Sequence, residues 1–203
     1  GGWWREMADV DALAALALVR DALGVARELE LPEVARARAA AFLITNAEGA
    51  NLHLPDLRTR ADDFEPLSRD RFLAGALLPA SWVQQAQRVR RWFAQAVATV
   101  FEEVDVLLAP ATPCVAPLLG TEWLSLGGQR LPARPSLGLL AQPLSCIGVP
   151  VVTVPVWHAR SGEPGLPLGV QVIAAPWRED LALRVAAAIE REVWCHAPIA
   201  ALS

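Results

Sequence analysis

Few residues in this chain can do chemistry, and Ser145 in "QPLSCIG" is the first to weigh. A serine becomes a nucleophile only with a base within hydrogen-bond reach and an oxyanion hole. His53, His158 and His196 stand in no partner motif, and no G-x-S-x-G elbow is present. Ser145 therefore reads as a pocket-lining or turn-capping serine. Cys195 and His196 are adjacent but lack a second ligand pair, so no metal is expected, and no cofactor motif stands out. Cys114, Cys146 and Cys195 are widely spaced and form no CxxC pair, which reads as buried apolar thiols rather than a zinc knuckle or disulfide framework.

The charged candidates are Arg71, Glu48 and the cluster "RVRRW" at 88–92. Arg71, in "SRDRFLAGALL", lies in the first turns of an expected helix, where a side chain and unbonded amides can together hold an anion. A surface arginine is the default reading there, and the 88–92 cluster reads as a solvated helix face. Glu48 stands where a helix is expected to end, in "NAEGANL", and burial beside a site and plain exposure are equally open. All 18 basic residues are arginines. Without lysine the chain supplies no Schiff base, lysine general base or P-loop lysine.

The elements that must position these residues follow from spacing. Asp9 is placed to cap a helix over 9–23, with Gly24 ending it in a left-handed conformation. The alternation in "VARELEL", 25–31, predicts a short half-exposed strand stopped by Pro32. Helices are expected over 33–50, 66–76 and 80–102, with a loop at 55–66 rich in Asp, Arg and Pro. "DVLLAPATPC", 105–114, predicts a buried strand. Residues 123–132 predict a hairpin turning at Gly127-Gly128. Strands at 149–156 and 167–174 precede a helix over 178–193, whose Glu179 and Asp180 suit its positive end. The runs "VVTVPV" and "GVQVIA" are apolar on both faces, which asks for helices covering the sheet: an α/β fold with a mixed sheet.

Composition narrows the class. Hydrophobic residues make up 54% of 203 and charged residues 20%, enough for a packed core. The net charge of −4 argues against nucleic acid held through phosphates. No apolar run reaches the roughly 18–20 residues that span a bilayer, and no leader is seen, so a soluble cytoplasmic protein without a membrane partner is expected. The opening "GGWWREMADVD" has no initiator methionine and begins with two exposed-looking tryptophans, which suggests a start in mid-domain.

Several phrases together resemble the C-terminal half of the amidase signature family. They are "DVLLAPATP" at 105–113, "IGVPVVTVP" at 147–155 and "GLPLGVQVIAAPWRED" at 165–180, with "AEGANL" at 47–52, "RDRFLAG" at 69–75 and "QAQRVRRW" at 85–92. Within that family, "FLAGALLPA" at 72–80, "DVLLAPATPC" and "VQVIAAPWREDLALRVAA" resemble phrases of the carboxybiuret and biuret hydrolase branch. The resemblance implies an incomplete amidase signature fold, with residues 1–203 forming the C-terminal part of one domain. The family cleaves amides with a serine, a bridging serine and a lysine carried in its N-terminal half, in a Gly/Ser-rich segment. This chain holds none of them and is expected to be inactive alone.

The resemblance also implies a substrate wall. In the glutamyl-tRNA amidotransferase branch, the positions of Arg71 and Gly138 help hold the substrate's charged groups. Arg71 suits a substrate carboxylate, whereas Gly138 stands in place of an aspartate that meets an amino group. The expected substrate is a small anionic amide lacking that ammonium, with Gln142, Ser145 and Thr112 lining the same cleft and Glu48 beside them. Two alternatives remain: a glutaminase like that of glutamyl-tRNA amidotransferase, and a non-catalytic interaction module. A small accessory subunit or a homo-oligomer is the expected assembly.

Overall fold

The structure, a computed structural model, describes residues 1–157 and 166–193. The candidates His158, Cys195 and His196 lie outside the described residues. The helices are α1 (Gly2–Met7), α2 (Val10–Ala22), α3 (Val34–Thr59), α4 (Pro66–Ala76), α5 (Ala80–Val100), α6 (Ala133–Ser136), α7 (Gln142–Ile147) and α8 (Glu179–Glu192). The strands are β1 (Val106–Pro110), β2 (Trp123–Leu126), β3 (Gln129–Pro132), β4 (Val151–Trp157) and β5 (Pro167–Ala174). Two compact units emerge, one of residues 1–31 and 97–203, the other of 32–96. No helix among the described residues is long and apolar enough to cross a membrane.

The first unit is built on a three-stranded sheet in the order β1-β5-β4, with both pairings antiparallel. Side chains along a strand alternate between faces. Leu168, Val170, Val172 and Ala174 of β5 therefore share one face with Val154 and Val156 of β4. Helices α2 and α8 cover that face through Ala12, Ala15, Val19, Ala182, Ala186 and Ile189. Fully burying each of the larger apolar side chains contributes roughly 1.5–3 kcal/mol. The expected α/β class and the adjacency of the two apolar strands hold. On the opposite face β5 is buried at Gln171 and Ile173, while β4 leaves Val151 and Thr153 exposed.

Local signals explain the ends of these elements. The Asp9 carboxylate accepts from the Ala12 amide at 2.8 Å, and Gly24 follows α2 at a φ of +65°. The β2–β3 hairpin turns at Gly127 and Gly128, whose φ values of +56° and +71° match the two left-handed positions of a tight hairpin turn.

Three expectations are overturned. Residues 25–31 form no strand: no described strand pairs with them, and Val25 to Glu28 are exposed. Alternation alone does not make a strand where no sheet edge is offered. Trp4 is not a surface tryptophan but is 7% exposed in α1, its indole Nε1 donating to the Leu140 carbonyl at 3.1 Å. Helix α3 does not stop near residue 50; it runs through Gly49, Asn51 and Pro55 to Thr59.

The second unit explains that last result. Helix α4 packs on α3 where glycines let the backbones approach. A Cβ at Gly75 would lie 2.7 Å from the Asn46 carbonyl carbon and closer still to its oxygen; one at Gly49 would lie 2.7 Å from the Phe72 ring. His53 completes the contact, its ring 4.9 Å from that of Phe72 and 5.6 Å from that of Phe64. Packing of this kind outweighs the propensity cost of weak helix formers. Pro55 removes one amide donor without breaking the helix. Helix α5 buries Ala86, Phe93 and Val97, a stripe at helical spacing, and exposes Trp82 and Trp92.

Candidate functional site

In the first unit the site is organised by a residue that sequence reasoning passed over. Gln171 lies in the middle of β5 and is 1% exposed. Its Nε2 donates to the Pro110 carbonyl at 2.9 Å and to the Leu140 carbonyl at 3.3 Å. Pro110 ends β1 two residues before Thr112, and Leu140 stands two residues before Gln142 and the start of α7. One side chain thus ties the backbone leading to Thr112 to the backbone leading to Gln142 and Ser145. Trp4 donates to the same Leu140 carbonyl, so that oxygen has two partners. The signal was available: Gln171 is the polar residue inside the apolar run "GVQVIA".

Thr112 is half-buried in the loop after β1. Gln142 opens α7 and is also half-buried; its Oε1 is buried with no hydrogen-bond partner among the described residues. Ser145, one turn later, is exposed. Gly138 precedes this helix, and a Cβ there would lie 3.9 Å from Gln142 Cγ and Nε2. The backbone at 138 has no positive φ, so an added Cβ meets no backbone strain and only ordinary contacts. Glycine at this position is therefore not a requirement of the fold.

Cys114 lies half-buried beyond Thr112, and its thiol is pushed above the ordinary thiol range, first by burial and then by the Asp9 carboxylate. Such a group is a poor nucleophile at neutral pH. A separate cleft of about 550 Å³ runs beside β1, lined by Trp4, Leu13, Leu16, Leu107, Leu144 and Ile173 among others. Neither Thr112, Gln142 nor Ser145 lines it.

In the second unit, Arg71 is the sixth residue of α4, in its second turn, as expected. The first-turn amide of Ser68 is taken by the Glu65 carboxylate at 2.8 Å, and Arg71 is exposed, as the default reading has it. Arg71 donates from Nε to Asn46 Oδ1 at 2.6 Å, and its guanidinium carbon lies 5.6 Å from the centroid of the Phe42 ring. Phe42 and Asn46 are one turn apart on α3, so both reach the same side chain. Glu48 stands in the middle of α3, not at its end, and is exposed.

A family model described as Amidase matches residues 12–183. The chain is 50% identical over 184 residues to AtzE of Pseudomonas sp. (strain ADP), a protein named as a 1-carboxybiuret hydrolase subunit. That match covers 91% of this chain and 40% of that protein. It is 30% identical over 210 residues to a glutamyl-tRNA(Gln) amidotransferase subunit of Sphingopyxis alaskensis, covering 90% of this chain and 41% of that one. A solved structure described as an unexpected vestigial protein complex, revealing the evolutionary origins of an s-triazine catabolic enzyme, superposes with a TM-score of 0.89 at 48% identity. That match covers 94% of this chain and 41% of the other. The chain therefore spans about two fifths of the length of these relatives.

Proposed function

The chain belongs to the amidase family, and from that premise we propose that residues 1–203 are the C-terminal part of one amidase domain in a hydrolase of small anionic amides such as carboxybiuret. The Ser-Ser-Lys triad is carried on polypeptide outside this chain. The observation that carries the reading is the 50% identity, over 91% of the chain, to a protein named for carboxybiuret hydrolysis. Arg71 supports it, because its guanidinium is held through Nε while both Nη groups remain unpartnered among the described residues. Two parallel N–H groups match a carboxylate. Gly138 supports it too, since no carboxylate stands there to receive an ammonium.

In this reading the triad serine attacks the amide carbonyl, the C–N bond breaks, and the nitrogen leaves with a proton. Water then hydrolyses the acyl-serine. This chain binds and orients: Arg71 takes the substrate carboxylate, and Gln142 is one of the residues that face the substrate. Thr112, Ser145 and Glu48 complete the proposed set of substrate-facing residues. An accessory subunit is proposed by analogy with the similar structure described as a complex. The test is Arg71→Ala in the full-length enzyme, expected to lower kcat/KM on an anionic amide by about 2–4 kcal/mol of transition-state stabilisation. A change under about twofold removes Arg71 from the site.

The 30% identity to an amidotransferase subunit favours a second reading, glutamine hydrolysis. Comparing glutamine with biuret-type amides as substrates separates the two. Turnover of glutamine but not of the anionic urea-like amide would establish the second.

A further inference from the structure

The geometry points to Asn46 as a positioning residue that sets the orientation and preserves the charge of Arg71 for binding the substrate carboxylate. This inference rests on the reading of Arg71 just given and extends it to a residue that touches no substrate. Asn46 is 6% exposed in the middle of α3. Its backbone carbonyl sits against Gly75 of α4, where even a methyl group would collide. The position of Asn46 relative to α4 is therefore tightly defined, and its Oδ1 lies 2.6 Å from Arg71 Nε, one turn before Gly75.

Two features of this contact fit positioning for an anion better than simple helix packing. The bond engages Nε alone, leaving the four N–H groups on Nη1 and Nη2 for another partner. The acceptor is also neutral. A carboxylate at position 46 would hold the guanidinium at least as firmly, but it would cancel the charge that attracts a substrate anion. Elsewhere in the chain several exposed arginines, such as Arg5, Arg20 and Arg60, are paired with carboxylates. Arg71 is held by a carboxamide instead, with the Phe42 ring at its side.

Asn46→Asp in the full-length enzyme is the test, because it keeps the shape and the bond while adding a charge. The readout is the ratio of kcat/KM for an anionic amide to that for its neutral analogue. Positioning predicts a fall in this ratio of about tenfold or more, appearing mainly in KM, with the thermal midpoint close to that of the parent. Asn46→Ala should lower the ratio as well, and in an Arg71→Ala background it should add less than about twofold, since both act through one contact.

Should the Asp variant fail to fold, the Ala variant and its cycle with Arg71→Ala decide the matter. A parental ratio in Asn46→Asp, with a collapsed ratio in Arg71→Ala, overturns the role of Asn46 and leaves that of Arg71 standing. A parental ratio in Arg71→Ala itself overturns both.

Discussion

The side-chain amide of Gln171 donates across 31 residues to the Leu140 carbonyl at 3.3 Å, while the same nitrogen reaches the Pro110 carbonyl at 2.9 Å. A buried carboxamide thus sets the start of the two segments that carry Thr112, Gln142 and Ser145. Removing it leaves a buried carbonyl without its side-chain donor, a loss of about 1–3 kcal/mol. Gln171→Ala should lower the stability measured by urea unfolding by that amount with an unchanged slope. Gln171→Glu should be worse than Ala, because an ionised carboxylate would face two carbonyl oxygens with no proton to give. A Glu variant as stable as the Ala variant would contradict this arrangement.

Trp4 is the second donor to Leu140, at 3.1 Å. Trp4→Phe keeps most of the buried ring and loses the N–H, so about 1 kcal/mol is expected. Because Gln171 still serves that oxygen, the loss should grow when Trp4→Phe is combined with Gln171→Ala. Strict additivity in a double-mutant cycle would argue that the two donors are independent.

Two glycines make contrasting predictions. At Gly75 the obstacle is backbone, the Asn46 carbonyl, so Gly75→Ala must push α4 away from α3 and should cost about 1–3 kcal/mol or more. At Gly169 a Cβ would lie 2.8 Å from Thr153 Cγ2 and 2.9 Å from the Ala111 Cβ, both side-chain atoms. Gly169→Ala should therefore be partly rescued by Thr153→Ser, whereas no single side-chain truncation rescues Gly75→Ala. Thermal melts of these variants, alone and combined, decide it.

Asp9 joins a helix cap to a thiol. Its carboxylate caps α2 and also helps to raise the Cys114 thiol, after burial. Removing the negative charge lowers the thiol's pKa towards its ordinary value, so more thiolate is present at neutral pH. In a background with Cys146 and Cys195 replaced by serine, Asp9→Asn should speed iodoacetamide alkylation of Cys114 about two- to threefold. The thermal midpoint should barely move, because Asn also caps helices well. Asp9→Ala should cost about 1 kcal/mol through the lost cap. An alkylation rate indifferent to Asp9→Asn would remove the electrostatic link.

Much of the fold was legible because its signals are local. Asp9 and Gly24 bracket α2, Gly127-Gly128 closes the hairpin, and the apolar runs after Val151 and Pro167 are neighbouring strands. Residues 25–31 were misread because alternation records a tendency, and a strand also needs a sheet edge. Helix α3 was cut short because Gly49, Asn51 and Pro55 are poor helix formers taken alone. Close packing against Phe72 and Gly75 of α4 keeps them helical. Glu48, placed at a supposed helix end, consequently stands in mid-helix.

By itself the sequence determined the α/β class, the family-like phrases and the chemistry withheld from this chain: it has no lysine, and no histidine stands in a partner motif with Ser145. Only the tertiary structure decided which polar groups meet. Asn46 and Arg71 lie 25 residues apart in the chain, and Gln171 and Pro110 lie 61 apart. Composition and periodicity register the burial of single residues, but a hydrogen bond between distant side chains and carbonyls depends on how helices and strands dock. That docking is set by close contacts such as Gly75 on Asn46, which no local pattern encodes.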